Sequence, residues 1–285
     1  MADFVLDVLR LCAWLLVLVG LLSPLERRWA VHPQKFFRKA FSTDLVYYFL
    51  SGLTSQALMI VPMTLFAAAV HRWEPAGFYT WAAQMPMGLR LLAAMVVGEI
   101  GAYWGHRLSH EIPFLWRFHA IHHSSEEMDW LVSSRAHPVD KLVMRLCGLV
   151  PMYMLGLAQP LRGNLDLTPM IVAVFGNIWA CFIHSNICWR LGWFEWLISS
   201  PAFHHWHHTN DSPELLNKNY APMLPWVDWC FGTFYLPRQF PRKYGTNTPM
   251  PDGIADQLLQ PLVAATRANS TVNPESTGQR IARTL

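Results

Sequence analysis

Long apolar stretches alternate with short polar ones through the first two thirds of the chain, and their lengths predict helices that cross a bilayer. Phe4 to Leu22 is apolar apart from Asp7 and Arg10. Ser23-Pro24-Leu25-Glu26-Arg27-Arg28 follows it without a small-residue cleavage site, so it reads as an anchor rather than a removed signal. Leu45 to Val70 is long enough to span with some tilt, and Met87 to Tyr103 is a third apolar stretch that runs directly into His106 and His110. Leu142 to Leu157 and Thr168 to Cys188 form a hairpin of two more, the first short enough to be re-entrant instead. Trp73, Phe78, Tyr79 and Trp81, between the second and third stretches, suit an interfacial belt. After Tyr235 the apolar periodicity is lost. Thr246 to Leu285 is rich in Pro, Thr, Ser, Asn and Arg around one weak apolar run, Ile254 to Ala265, and the last twenty residues are expected to be disordered.

Composition strengthens the membrane reading. Of 285 residues 53% are hydrophobic and 14% charged, against roughly 25% charged in soluble domains. A net charge of +3 is too small to suggest a nucleic-acid partner, so the basic residues are read for their placement around the membrane. Arg27, Arg28, Lys35, Arg38 and Lys39 crowd the first loop. The His71–Pro86 connection holds one Arg, and Arg107, Arg117, Arg135 and Lys141 follow the third stretch. With positive loops inside, the third span returns to the cytoplasmic side and leaves His106 there. The last hairpin brings His184 to the same side, and His204 to His208 follow. All the histidine clusters are therefore expected at one cytoplasmic face. Cys12, Cys147, Cys181, Cys188 and Cys230 include no CxxC pair and read as buried free thiols. Most of the tryptophans are assigned to the membrane interface.

The histidines change the picture from membrane protein to metalloprotein. Eleven of thirteen lie between His106 and His208. His106-Arg-Leu-Ser-His110 puts two imidazoles one turn apart on a helix face, where one metal reaches both. His119-Ala-Ile-His122-His123 and His204-His205-Trp206-His207-His208 each hold an i, i+3, i+4 set, and His137 and His184 stand alone between them. Ionisable groups at membrane depth are costly unless they pair or bind something, so clusters this dense require a cation. Imidazole suits zinc, copper, iron and nickel. One zinc takes about four ligands, so eight or more histidines imply two metals. A zinc-dependent membrane hydrolase is an alternative, but the carboxylate base of an HExxH helix is absent. A metal transporter is another, although transporters place polar groups near the midplane of several helices.

The run Tyr103-Trp104-Gly105-His106-Arg107-Leu108-Ser109-His110, then Leu115-Trp116-Arg117-Phe118-His119-Ala120-Ile121-His122-His123-Ser124, resembles the fatty acid hydroxylase / sterol desaturase superfamily. So do Arg135-Ala136-His137-Pro138, His184-Ser185-Asn186, the block His204 to His208, Asn219-Tyr220 and Trp229-Cys230-Phe231-Gly232-Thr233-Phe234, in the family's order over roughly residues 90 to 236. The resemblance implies two iron ions, O2 as co-substrate, and a lipid substrate (fatty acyl, sterol or related isoprenoid) that is hydroxylated or desaturated. Electrons would come from a separate donor protein, cytochrome b5-like or ferredoxin-like. By the same resemblance the ligands fall on His106, His110, His119, His122, His123, His204, His207 and His208, with His184 as a further ligand and His137 as a ligand or a ligand's neighbour. His205, where relatives carry other residues, is left out. Two positions depart from the family: Glu99 stands where an aspartate is common, and Ala221 where a glycine is. Glu99, two turns deeper on the His106 face, is expected either to hydrogen-bond a ligand imidazole or to pair with Arg90. Asp228 is expected to orient a ligand or cap a turn, and Asn186 to stand behind the ligands.

The expected fold is thus an all-α polytopic membrane helical bundle of about 4–5 spans with a cytoplasmic histidine-rich helical cap. Residues 1–86 would supply N-terminal spans and a basic cytoplasmic loop, 87–236 a fatty acid hydroxylase-like catalytic domain, and 237–285 a partly disordered tail. The basic first loop and Arg117 are read as solvated surface, with anionic headgroups or an acidic redox partner as the alternative.

Overall fold

The structure, a computed structural model, describes residues 2–73, 80–158, 167–248 and 250–270. Two compact units emerge, Met1–Thr248 and Pro249–Leu285. The described residues are helical apart from loops and one isolated bridge, Thr209 with Tyr244.

Helices α1 (Ala2–Arg28) and α2 (Phe41–Trp73), then after the short α3 (Thr80–Gln84) helix α4 (Met87–Glu111), are long and apolar enough to cross a membrane. Their 27, 33 and 25 residues reach about 40, 50 and 37 Å at 1.5 Å per residue, beyond the roughly 30 Å of a hydrocarbon core. Phe4, Leu16 and Leu21 on α1, Ile60, Val61 and Leu65 on α2, and Met87, Leu89 and Leu92 on α4 are exposed, the surface a bilayer would cover. Of the expected aromatic belt, Trp81 is exposed, while Phe78 and Tyr79 lie outside the described residues. Helices α6 (Pro138–Met154) and α7 (Thr168–His184) have 17 residues each and reach only about 25 Å. The last apolar stretch was expected to run to Cys188. Its helix stops at His184 because Ser185 turns out of the helical region, at φ −59° and ψ 141°.

Helices α4 and α6 pack closely, and glycines make this possible. A Cβ at Gly101 would overlap the carbonyl oxygen of Cys147, and one at Gly105 would stand 2.7 Å from the Cys147 Cβ. Small residues let helix backbones approach in this way where no hydrophobic drive exists between helices.

Between α4 and α6 the chain forms the short α5 (Pro113–His123), separated from α4 by Ile112 alone. Pro113 has no N–H to continue the α4 ladder, so the chain turns and restarts. A 3-10 turn, Trp130–Ser134, follows, with Asp129 as N-cap accepting from the Leu131 and Val132 N–H groups. Asp129 also anchors the N-terminal spans. Arg38 donates to Asp129 at 2.6 and 2.7 Å and to Asp44 at 2.5 Å, and Arg135 donates to Asp44 at 2.5 Å. All four groups are buried, so each charge must be paired to be tolerated. Arg38, expected on a solvated basic surface, is an internal strut. It was placed outside because its charge alone gives no sign of its two partners.

Past α7, the chain forms α8 (Pro201–His207) and α9 (Trp226–Cys230) among loops. Several tryptophans expected at the interface have internal duties here. Trp130 donates to Ser23, Trp179 to Ser199 and Trp206 to the Gln239 carbonyl. The five cysteines are free, but Cys188 and Cys230 are exposed rather than buried. In the second unit α10 (Ile254–Ser270) extends the weak apolar run past Ala265. Residues 266–270, expected to be disordered, are therefore helical, and residues 271–285 lie outside the described residues.

Candidate metal centre

Nine histidines converge from four helices on the connected ends of α4 and α7. His106, His110, His119, His123 and His207 form one group, and His122, His184, His204 and His208 a second. The donor atoms within each group lie within 4.8 Å of one another. The helical repeat explains the division. At about 100° per residue, i and i+4 differ by about 40°, whereas i+3 lies about 60° to the other side of i. On α5, His119 and His123 join the first group and His122 the second. On α8 and its C-cap the roles invert, with His204 and His208 in the second group and His207 in the first. Each HxxHH run therefore straddles both groups.

The second ring nitrogens fix what the first can do. His106 Nδ1 donates to the Tyr220 carbonyl (2.6 Å), His122 Nδ1 to the Arg135 carbonyl (3.0 Å), His184 Nδ1 to the Ala180 carbonyl (2.7 Å) and His207 Nδ1 to the Lys218 carbonyl (2.8 Å). His119 Nδ1 donates to Asp140 at 3.0 and 3.1 Å. A carbonyl only accepts, so each of these rings carries its proton on Nδ1 and turns a lone pair on Nε2 toward the centre. Those lone pairs meet face to face. His106 and His119 Nε2 atoms are 3.1 Å apart, and those of His122 and His184 3.2 Å. With both Nδ1 atoms protonated, two neutral rings cannot hydrogen-bond to each other at that distance. Metal–imidazole bonds of about 2.0–2.1 Å at angles between 90° and tetrahedral give N···N spacings of about 2.9–3.4 Å. The set therefore fits a pair of cations. Among the described residues His110 Nε2 and His207 Nε2 are buried without a hydrogen-bond partner, which suits nitrogens that would bind a metal. Burial pushes the pKa of His122, His123, His204, His207 and His208 well below 6.5, which keeps them neutral and able to ligate.

The remaining expected site residues stand behind this shell or apart from it. Asp228 accepts from the Tyr220 and Ala221 N–H groups, both at 2.7 Å, and from Thr233 at 2.6 Å. It thus holds the strand of loop whose Tyr220 carbonyl orients His106. Burial raises its pKa to about 6, and these hydrogen bonds oppose the rise. Glu99 does not reach an imidazole. Two turns below His106, it accepts from the Met223 and Leu224 N–H groups at 2.6 and 2.7 Å, pinning the same loop to α4. Arg90, the other expected partner of Glu99, donates to Thr168. Asn186 serves the N-terminal segment, accepting from the Val31 and His32 N–H groups and donating to the His32 carbonyl. It sits two residues past His184, where the chain has already left the helix, so its amide faces away from the ligands. His137 belongs to neither group. It is the N-cap of α6, its Nδ1 accepts from the Val139 N–H at 3.0 Å, and its ring packs on Phe118. His205 is also outside both groups, bonded to Tyr244 and the Ser185 carbonyl.

Asp140 was not singled out from the sequence. As an acid in the first turn of a helix it reads as a charge favoured by the helix dipole, and nothing local marks it as the partner of His119. Asn219 was named as part of a motif but given no role of its own. It holds a left-handed backbone, φ 58°, tolerable for Asn, and its side chain ties the Phe203 and Tyr235 carbonyls and the Tyr235 N–H. The first group opens on a cavity of about 410 Å³ lined by His110, His123, His207, Trp116, Asn217 and Thr248.

Comparison with known proteins agrees with this shell. The profile of the fatty acid hydroxylase family matches residues 91–233, which contain every histidine of both groups. Ornithine lipid hydroxylase OlsE of Rhizobium tropici is 30% identical over 245 residues, 84% of this chain and 70% of that protein. Alkylglycerol monooxygenase of Homo sapiens is 31% identical over 139 residues, 48% of this chain and 28% of that protein. The Delta(7)-sterol 5(6)-desaturase ERG3B of Gibberella zeae is 27% identical over 184 residues, 62% of this chain and 51% of that protein. No solved structure matches the chain. The chain belongs to the fatty acid hydroxylase family.

Proposed function

We propose that this protein is a membrane oxygenase that holds two iron ions in its paired histidine groups and uses O2 to hydroxylate or desaturate a lipid. The observation that carries the reading is the convergence of Nε2 lone pairs whose Nδ1 protons are committed to fixed acceptors. Nine histidines, His106, His110, His119, His122, His123, His184, His204, His207 and His208, would hold the metals. An all-imidazole donor set suits zinc, copper, iron or nickel, and iron is favoured among them by membership of a family whose named members are hydroxylases, monooxygenases and desaturases. When bound, such a pair supplies the dioxygen chemistry needed to break an unactivated C–H bond.

The chain's own residues set the conditions for that chemistry. The four carbonyls and Asp140 lock the tautomer and orientation of five imidazoles, those of His106, His119, His122, His184 and His207, which also raises their basicity toward metal. Burial excludes water from the second group, while His110 is half-buried beside the 410 Å³ opening of the first. In this reading the histidine cap faces the cytoplasm, consistent with the basic residues around the first loop and with positive-inside placement. Electrons would reach it from a separate donor protein, cytochrome b5-like or ferredoxin-like.

Metal analysis of the full chain purified in detergent tests the proposal. Iron in about a two-to-one ratio to protein, with O2 consumed under reduction, supports it. Stoichiometric zinc without iron, and no O2 uptake, would overturn it. Mass spectrometry of membrane lipids from cells with and without the protein then separates the outcomes: one added oxygen marks hydroxylation, and two lost hydrogens mark desaturation.

A further inference from the structure

A second cavity, of about 250 Å³, lies among α1, α2, α6 and α7. Leu11, Trp14 and Leu18 of α1 and Val174 and Ile178 of α7 give it apolar walls. Residues 11–18, 48–55 and 174–181 line it on three helices, each a run of about 10 Å along its axis, so it extends from the cap toward the bilayer interior. Two cations project into this apolar space, Lys141 and Arg145, one turn apart on α6. Among the described residues neither forms a side-chain hydrogen bond or an ion pair. The neighbouring acid, Asp140, is occupied by His119, and Glu26 by the Trp130 and Asn186 N–H groups. Two unpaired charges side by side on the wall of a largely apolar cavity are costly unless something anionic meets them. Ser133 and Asn177 add hydrogen-bonding groups nearby.

We propose that this cavity receives the head end of an anionic lipid, its negative group between Lys141 and Arg145 and its chains running out along α1 and α7. The volume is below the roughly 300–1,000 Å³ that encloses a drug-sized ligand, so the chains remain in the bilayer. No histidine lines the cavity, but neighbours of both histidine groups stand at its wall. Ala180, on its wall, accepts from His184, and Asp140, beside Lys141, accepts from His119. This deepens the reading of the chain as a lipid-modifying oxygenase, on which it rests, by assigning a negative charge to the substrate near the reacting end.

The test is a binding measurement that needs neither iron nor turnover. Delipidated full-length protein in neutral detergent is titrated with dioleoyl phosphatidylglycerol and with dioleoyl phosphatidylcholine, which share their chains and differ in net charge. The expected result is at least about tenfold tighter binding of the anionic lipid, about 1.4 kcal/mol, with no displacement by inorganic phosphate. Lys141→Met with Arg145→Met should abolish the preference and raise the thermal midpoint of the lipid-free protein, since unpaired charges leave the interior. Lys141→Arg, which keeps the charge, should retain the preference and covers the case in which the double variant fails to fold. Equal binding of the two lipids by the wild type, a preference that survives the double variant, a preference lost in Lys141→Arg despite a wild-type thermal midpoint, or displacement by phosphate alone would overturn the proposal. A protein that holds only zinc but prefers the anionic lipid would defeat the oxygenase reading and leave this site standing.

Discussion

Replacing Gly105 by Ala is a small change with a consequence that the geometry lets one estimate. The new Cβ would stand 2.7 Å from the Cys147 Cβ and 2.9 Å from its Sγ. Carbon atoms in contact sit about 3.5–4.0 Å apart, so α4 and α6 must separate by about 1 Å at this point. Overpacking of this kind costs about 1–3 kcal/mol, offset by the roughly 1 kcal/mol that Ala gains over Gly in a helix. The effect on stability is therefore modest, but the effect on the site is not. Gly105 precedes His106 on α4, while α6 carries Asp140, which positions His119. His106 and His119 Nε2 atoms are 3.1 Å apart, and metal sites hold their distances within about 0.2 Å. A shift of about 1 Å between the two helices should weaken metal binding by the first group about 10- to 100-fold, the range seen when a ligand's support is lost. Gly101→Ala should be worse, because the atom it overlaps is a backbone carbonyl that cannot rotate aside. Gly88→Ala, in the same helix with nothing within 4 Å of its Cβ, is the control and should leave metal content unchanged. Metal per chain at limiting free iron, together with the thermal midpoint in detergent, reads both effects. Full metal content in the Gly105 and Gly101 variants would refute the argument that close α4–α6 packing sets the ligand geometry.

Three other perturbations separate the parts of the fold. Asp140→Ala removes the only carboxylate, among the described residues, that bonds to an imidazole of the two groups; affinity of the first group should fall about 10- to 100-fold, with retention of about one metal per chain at limiting iron, and unchanged loading would count against it. Arg38→Met leaves Asp129 without its buried cation, which should destabilise the protein by about 3–5 kcal/mol; adding Asp129→Asn should recover part of the lost thermal midpoint. Acidification should destabilise the metal-free protein, because burial holds His122, His123, His204, His207 and His208 well below 6.5. The unfolded chain then binds more protons than the folded one below about pH 6.5, so stability rises with pH there and is lost as pH falls. A thermal midpoint flat from about pH 7 to pH 5 would contradict this.

The histidines of the two groups were legible in the sequence because the chemistry proposed for them demands a rare residue at helical spacing. His106 and His110, His119 and His123, and His204 and His208 each declare a shared face by their i, i+4 separation. What spacing could not declare is that His122 and His207 cross to the opposite group, because that depends on how α5 and α8 face each other. The supports were less legible still. The Tyr220, Lys218, Arg135 and Ala180 carbonyls orient four ligands, and every residue has a carbonyl, so no side chain marks them. Glu99 and Asn186 stood out as polar residues near the motifs, yet both were drawn to backbone N–H groups of distant loops. Long-range partners decided in each case. The spans α1, α2 and α4 were readable from apolar length alone, whereas the end of α7 was set by one backbone turn at Ser185.

On the proposed reading, the way the histidines are supported would tie metal binding to assembly of the whole membrane domain. His106 on α4 relies on the loop at Tyr220, which Asp228 and Glu99 hold. His119 on α5 depends on Asp140 of α6, and His122 on the Arg135 carbonyl. Arg135 in turn reaches Asp44 at the start of α2, and Asp44 shares Arg38 with Asp129. Every ligand so supported points its metal-binding nitrogen correctly only when a different part of the chain is in place. A bound metal pair favours all of these contacts at once, since a ligand that binds only the folded state stabilises it by mass action. The Nε2 atoms of His106 and His119, 3.1 Å apart, and of His122 and His184, 3.2 Å apart, belong to rings whose Nδ1 protons are committed elsewhere, and they repel when no cation lies between them. The same side chains therefore oppose folding without metal and promote it with metal. That reversal would make Asp44 of α2, which among the described residues bonds to no histidine of either group, part of what the proposed metal centre requires, alongside Asp140 of α6.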